Sequence, residues 1–151
     1  MGTPHIIKIV DKTGRIRINQ YGQWDGYPSG QGQDILNFLS THDLDLFEMN
    51  VSNIHKIKKK ECEMVECDTF GSINYPYLSR DCGSEILQMI YDNKVKFVKF
   101  ATKEAKSFCF GFYTINFKTN EFKSKFKKKI VTYHLDALPT PDEYLKAFKI
   151  N

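Results

Sequence analysis

The chain has 151 residues, 41% of them hydrophobic, with Lys and Arg outnumbering Asp and Glu by 22 to 18. That length is about one domain, able to bury roughly two thirds of its unfolded surface without covalent staples, and a net charge of +4 falls well short of a DNA-packaging composition. Cys62, Cys67, Cys82 and Cys109 form no CxxC pair and no histidine pair completes a zinc set, so the sequence calls for no metal and no cofactor and fits a reduced, cytoplasmic setting.

From the front of the chain, "HIIKIVD" and "RIRINQYGQW" alternate or carry β-branched residues around the turn "KTG", which predicts a first hairpin. The first twenty residues hold charges and no long apolar run, so neither a secretory signal nor a membrane span is expected. If 15 to 25 is one strand, Ile16, Ile18 and Trp24 point towards a core, and Arg15, Arg17, Asn19, Tyr21, Gln23 and Asp25 point the other way. "DGYPSGQG" ends the strand, and "QDILNFLST" spaces Ile35, Leu36 and Leu39 as one helix face. "DLDLFEM" reads as extended, while "NVSNIHKIKKKECEM" fits helix or strand.

Further on, "SRDCGSEILQMIYDN" predicts a second helix, with Ser79 or Asp81 as its cap and Gly83 in its first turn. "KVKFVKFAT" and "FCFGFYTINFK" read as a second antiparallel pair, "KKIVTYHLDAL" as another strand, and "TPDEYLKAF" as a terminal helix opened by Thr-Pro. With no repeat, linker or low-complexity tract, the expectation is a single compact α+β domain over residues 1–151, with a mainly antiparallel sheet and two or three short helices. The lysine runs "HKIKKK" at 55–60 and "FKSKFKKK" at 122–129 read first as solvated faces and alternatively as attractors of phosphates at long range, and their spacing matches neither a duplex-reading helix nor an RNA-binding signature.

The run from Tyr21 to Gly32 holds two tyrosines, the only tryptophan and four glycines, directly before a helix. Glycines admit a ligand close to the backbone, and helix starts offer N–H groups to an anion. The second helix start repeats the arrangement and adds Arg80, whose fork matches phosphate oxygens. This is neither a Walker loop nor a Rossmann fingerprint. The chemistry nevertheless matches a nucleotide pocket, with Tyr21, Trp24 and Tyr27 for stacking, Arg17 and Arg80 for phosphate, and Asp25 and Asn74 for polar edges. The bland alternative is that Trp24 and Tyr27 close the core while Gly and Pro shape a turn.

"YGQWDGYPSGQGQDILNFL", "YLSRDCGSEILQMIY" and "FGFYTINF" together resemble the Thoeris anti-defence 1 family, small phage proteins that sequester immune signalling nucleotides. The middle segment and the lysine-rich segment extend beyond that family's compact pattern. The resemblance implies a sponge for glyco-cyclic ADP-ribose in the cytoplasm of an infected bacterium, with cyclic di- or trinucleotides as further ligands at a separate site. It also implies a dimer-based homo-oligomer, up to a hexamer, whose pockets form between subunits. No membrane or duplex nucleic acid is expected as a partner. The resemblance carries no catalytic residue. Competing readings are a protein-binding inhibitor of a defence complex, using an acidic loop at 61–68 or the lysine face, and a hydrolase using His42, His55 or His134.

Overall fold

The computed structural model describes residues 2–66 and 74–149. In chain order, β1 is His5–Val10 and β2 is Ile16–Gly22; a π-helical turn at Pro28–Gly32 runs into α1, Gln33–Thr41. Then come α2 Leu44–Val51, β3 His55–Lys56, α3 Lys59–Glu66, α4 Glu85–Tyr91, β4 Phe97–Val98 and α5 Lys103–Ser107. The strands β5 Gly111–Asn116, β6 Glu121–Phe126 and β7 Lys129–His134 precede the last helix, α6 Pro141–Phe148. The result is an α+β domain with a five-stranded sheet in the order β2-β1-β5-β6-β7, antiparallel except for the β1–β5 pair. Six helices are present among the described residues, more than the two or three expected, and none of them is long and apolar enough to cross a membrane.

One sheet face is covered. Ile7 and Ile9 of β1 stand in register with Tyr113 and Ile115 of β5, and all four are fully buried against Ile35 and Leu36 of α1 and Ile86 and Leu87 of α4. Each such side chain contributes roughly 1.5–3 kcal/mol relative to exposure. The capping box of α6, in which Thr140 and Glu143 satisfy each other's backbone N–H groups, starts the helix so that buried Tyr144 donates to Ser124 Oγ at 2.8 Å. The last helix is thereby tied to β6.

Three expectations are corrected. "DLDLFEM" is helical, because Asp43 accepts from the N–H groups of Asp45 and Leu46 and the i, i+4 pair Phe47 and Val51 reaches the core. Phe97–Val98 does not pair with β5; it lies parallel to His55–Lys56 in a separate two-stranded sheet. β5 instead takes "EFKSKF" as its antiparallel partner, because Asn116 Oδ1 accepts from the N–H groups of Lys118 and Thr119 and turns the chain sharply back. Neither Ser79 nor Asp81 caps α4, whose preceding residue is Ser84.

The glycines of the 22–32 loop serve packing. A Cβ on Gly22 would fall 2.2 Å from the His5 ring, and one on Gly32 would fall 2.4 Å from the Tyr144 hydroxyl. His5 is 1% exposed and neither ring nitrogen has a hydrogen-bond partner among the described residues, so burial lowers its pKa to about 4. An unfolded histidine titrates near 6.5. The unfolded chain therefore takes up a proton first as pH falls, and stability that is whole above pH 6.5 is lost progressively down to about pH 4. Urea unfolding is expected to show a loss of about 2 kcal/mol between pH 7 and pH 5. His5→Phe should flatten that slope.

Candidate functional site

The two unusual stretches of the sequence dock on each other. Gln20 Nε2 donates to the Gly83 carbonyl at 3.2 Å, the Gln23 N–H to the Arg80 carbonyl at 2.9 Å, and Trp24 Nε1 to Asp81 Oδ1 at 2.6 Å. Gln31 completes the seam, accepting from the Ser84 N–H at 2.8 Å and donating to the Trp24 carbonyl at 3.3 Å. Gly83 has φ +55°, and a Cβ there would meet the Gln31 amide at 2.5 Å, so a side chain is excluded on both grounds.

That seam uses up the backbone groups from which an anion cradle was expected. The N–H groups of Gly30 and Gly32 go to the Tyr27 carbonyl, that of Gln31 to Asp25, and that of Gln33 to Gly30 and Pro28. At the second site Cys82 donates to Ser79, Ser84 to Gln31 and Glu85 to Cys82. The helix starts are closed by their own chain, and the glycines meet protein atoms where a ligand was expected.

The seven residues picked from sequence divide accordingly. Arg17 Nε bonds Asp11 Oδ2 at 2.8 Å and its Nη1 the Ile54 carbonyl at 3.1 Å. Burial alone would push the Asp11 carboxyl up, but Thr13, Arg17 and the backbone N–H groups of Arg15 and Thr13 outweigh it and hold it well below the usual carboxylate range. Arg17 is thus a clamp on the first turn. Trp24 is 43% exposed, a correction to its expected core direction, because β2 ends at Gly22 and the alternation stops there. Asp25 sits at φ 54° with its carbonyl holding the Gln31 N–H. Tyr27 leans on Phe126 with ring centroids 5.9 Å apart, and Asn74 lines a cavity of about 340 Å³ with Pro76 and Met89. Only Tyr21 and Arg80 come together.

They meet in a cleft of about 170 Å³ over the outer edge of β2, whose other walls include Tyr77, Lys99 and Phe100. Phe100 is shared with a second cleft of about 180 Å³ lined by Arg15, Arg17, His55 and Lys56, and Lys56 Nζ stands 5.3 Å over the Phe100 ring. Each cleft alone is smaller than the roughly 300 Å³ at which small-molecule sites begin, and the two around Phe100 together reach it. Among the described residues, no carboxylate lines either one. Sequence reasoning missed Tyr77, Lys99 and Phe100; the sign was "VKFAT", in which a lysine and a phenylalanine precede the Ala101 N–H that bonds the Asn19 carbonyl on the edge of β2.

The histidines are dispersed. His42 stacks on Phe38 and bonds Gln88, His55 bonds Glu61 at 2.8 Å, and His134 lies 3.4 Å from Asp136. The acidic loop expected at 61–68 is corrected: as far as it is described it belongs to the helix α3, whereas Cys67 and Asp68 lie outside the described residues. Burial pushes the Cys82 and Cys109 thiols up to about 11. Among the described residues no group of His, Cys, Asp and Glu is arranged to hold a metal ion.

Replacing Arg17 separates clamp from ligand. Arg17→Ala is expected to lower stability by about 1–3 kcal/mol in urea unfolding, because Asp11 stays buried with one partner fewer. Comparison with known protein families, characterised proteins and solved structures finds no match to this chain.

Proposed function

We propose that the protein binds a small anionic nucleotide in the cleft beside β2 and holds it without cleaving it, as a sponge for cyclic nucleotide signals. The observation that carries this reading is the convergence of Tyr21, Tyr77 and Phe100 with Arg80 and Lys99 on one cleft that no carboxylate lines among the described residues. Rings offer stacking worth ~1–3 kcal/mol per base. Arg80 and Lys99 offer charge-assisted bonds of ~1.5–3 kcal/mol each. A few of each approach the ~12 kcal/mol of nanomolar capture.

Glyco-cyclic ADP-ribose is the ligand class that the resemblance adds, and it makes the biological role the disarming of a bacterial defence by a phage. A molecule of that size overfills the Tyr21 cleft and spans Phe100 into its neighbour. A second copy of the chain closing over the open side would complete the enclosure, which is the reason to expect a homo-oligomer. A hydrolase is the second reading, and the observation in its favour is His55 on the wall of the adjoining cleft, with Glu61 bonded to it.

Titration calorimetry with a cyclic ADP-ribose-type signal tests the site. Arg80→Ala and Tyr21→Ala are each expected to weaken capture at least tenfold with an unchanged melting temperature, and unchanged affinity in both would remove the cleft from the function. Chromatography of the heat-denatured complex tests the chemistry. Intact ligand supports the sponge, while a linear or shortened product would transfer the role to His55 and Glu61.

A further inference from the structure

The hairpin of β6 and β7 carries a charge imbalance. Residues 121–134 hold five lysines against the single acid Glu121, a net +4 that equals the charge of the whole chain, so the remaining residues balance. The two-residue turn is Lys127–Lys128, and Lys127 has φ 53°, a conformation that Asn or Gly adopts more cheaply. What a lysine supplies at that place is its ammonium group.

Beside this turn, two cavities of about 550 and 300 Å³ adjoin through Phe126 and Phe148. Three rings, Phe126, Phe148 and Tyr27, and four lysines, Lys127, Lys128, Lys129 and Lys149, line them, and among the described residues no carboxylate does. Lys127 Nζ lies 5.6 Å from the centre of the Phe126 ring, so ring and cation already stand side by side. On the opposite sheet face the pair repeats, with Lys125 Nζ 5.5 Å over Phe112. Phe110, just before β5, is 47% exposed.

We propose that this end of the sheet binds single-stranded nucleic acid without regard to sequence. Bases stack on Phe126, Phe148 and Tyr27 while successive phosphates meet the lysines of the turn. Aromatic rings suit planar bases, each of which has a π-face, and lysine point charges suit a flexible phosphate chain. An acidic peptide would be gripped better by the forked guanidinium of arginine, and among the described residues no arginine lines this groove. A duplex keeps its bases stacked internally and cannot offer them to the rings. The surface shares no residue with the cleft beside β2, and the inference does not rest on the nucleotide reading of that cleft.

Fluorescence anisotropy on the full chain provides the test, with labelled oligothymidylate and oligouridylate of about 20 nucleotides, a duplex of the same length, and an acidic peptide with regularly spaced leucines. Both single strands are expected to bind, with log affinity falling against log salt at a slope of about −2 to −3, the release expected for three or four phosphates. Lys128→Glu combined with Lys129→Glu should weaken binding at least tenfold at an unchanged melting temperature. Phe148→Leu, which keeps the apolar packing and removes the ring, should weaken it as well, and Arg80→Ala should leave it as it was. The proposal is overturned by an absence of single-strand binding at low salt, by salt-independent binding, by an unaltered affinity in the double lysine variant, or by tighter capture of the peptide or the duplex.

Discussion

The phenol of Tyr113 donates to the Gly26 carbonyl at 2.6 Å, and the placement of the cleft depends on that bond. Tyr113 is fully buried near the start of β5, and burial pushes its phenol well above the usual range, so it remains a donor at neutral and mildly alkaline pH. The bond pins the loop over the sheet end with Gly32 and Gly111 pressed against the same ring. Gln31 can then reach Ser84, and the chain around Arg80 is drawn to β2. One buried ring in the sheet thus positions a surface arginine through two loops.

Charge is distributed with the same economy. Asp11, the buried carboxylate at the first turn, is answered locally by Arg17 and by backbone N–H groups. Among the described residues, the cleft beside β2 and the cavities beside β6 have cations and rings on their walls and no acids, within a chain whose total charge is modest. Local composition, more than net charge, determines what each surface attracts.

The first hairpin, α1 and α4 were legible in the sequence from their apolar periodicity, and α6 also from its end signals, Thr140, Pro141 and Glu143 at its start. β6 was hidden because Lys123 and Lys125 occupy its exposed positions, and the alternation of Phe122 with Ser124 on the inner face is only half apolar. Tyr21 and Arg80, singled out in the sequence by their chemistry, line one cleft. Trp24, Asp25 and Arg17 were assigned to a ligand because their partners, Asp81, Gln31 and Asp11, are fixed by tertiary contacts that no local pattern encodes. The glycines were misread for the same reason: close approach to the backbone was correctly inferred, but what approaches is the protein's own rings and carbonyls.

The two borders of the sheet have opposite fates. β2 is sheltered on its outer side by Ala101, Arg80 and Ile54, which take up its carbonyl, its N–H group beyond the strand end and its Arg17 side chain. β7 lies at the other border, and among the described residues no strand pairs with its outer side. An open border of this kind is a template for adding further strands, and from there for fibrous aggregation. Lys129 at its start and Lys127 and Lys128 just before it act as gatekeepers, since two such borders approaching each other bring like charges together. That protection has a range of about 8 Å at physiological ionic strength. Concentrated salt, which screens lysines but leaves backbone hydrogen bonding intact, is therefore the condition under which this border becomes adhesive.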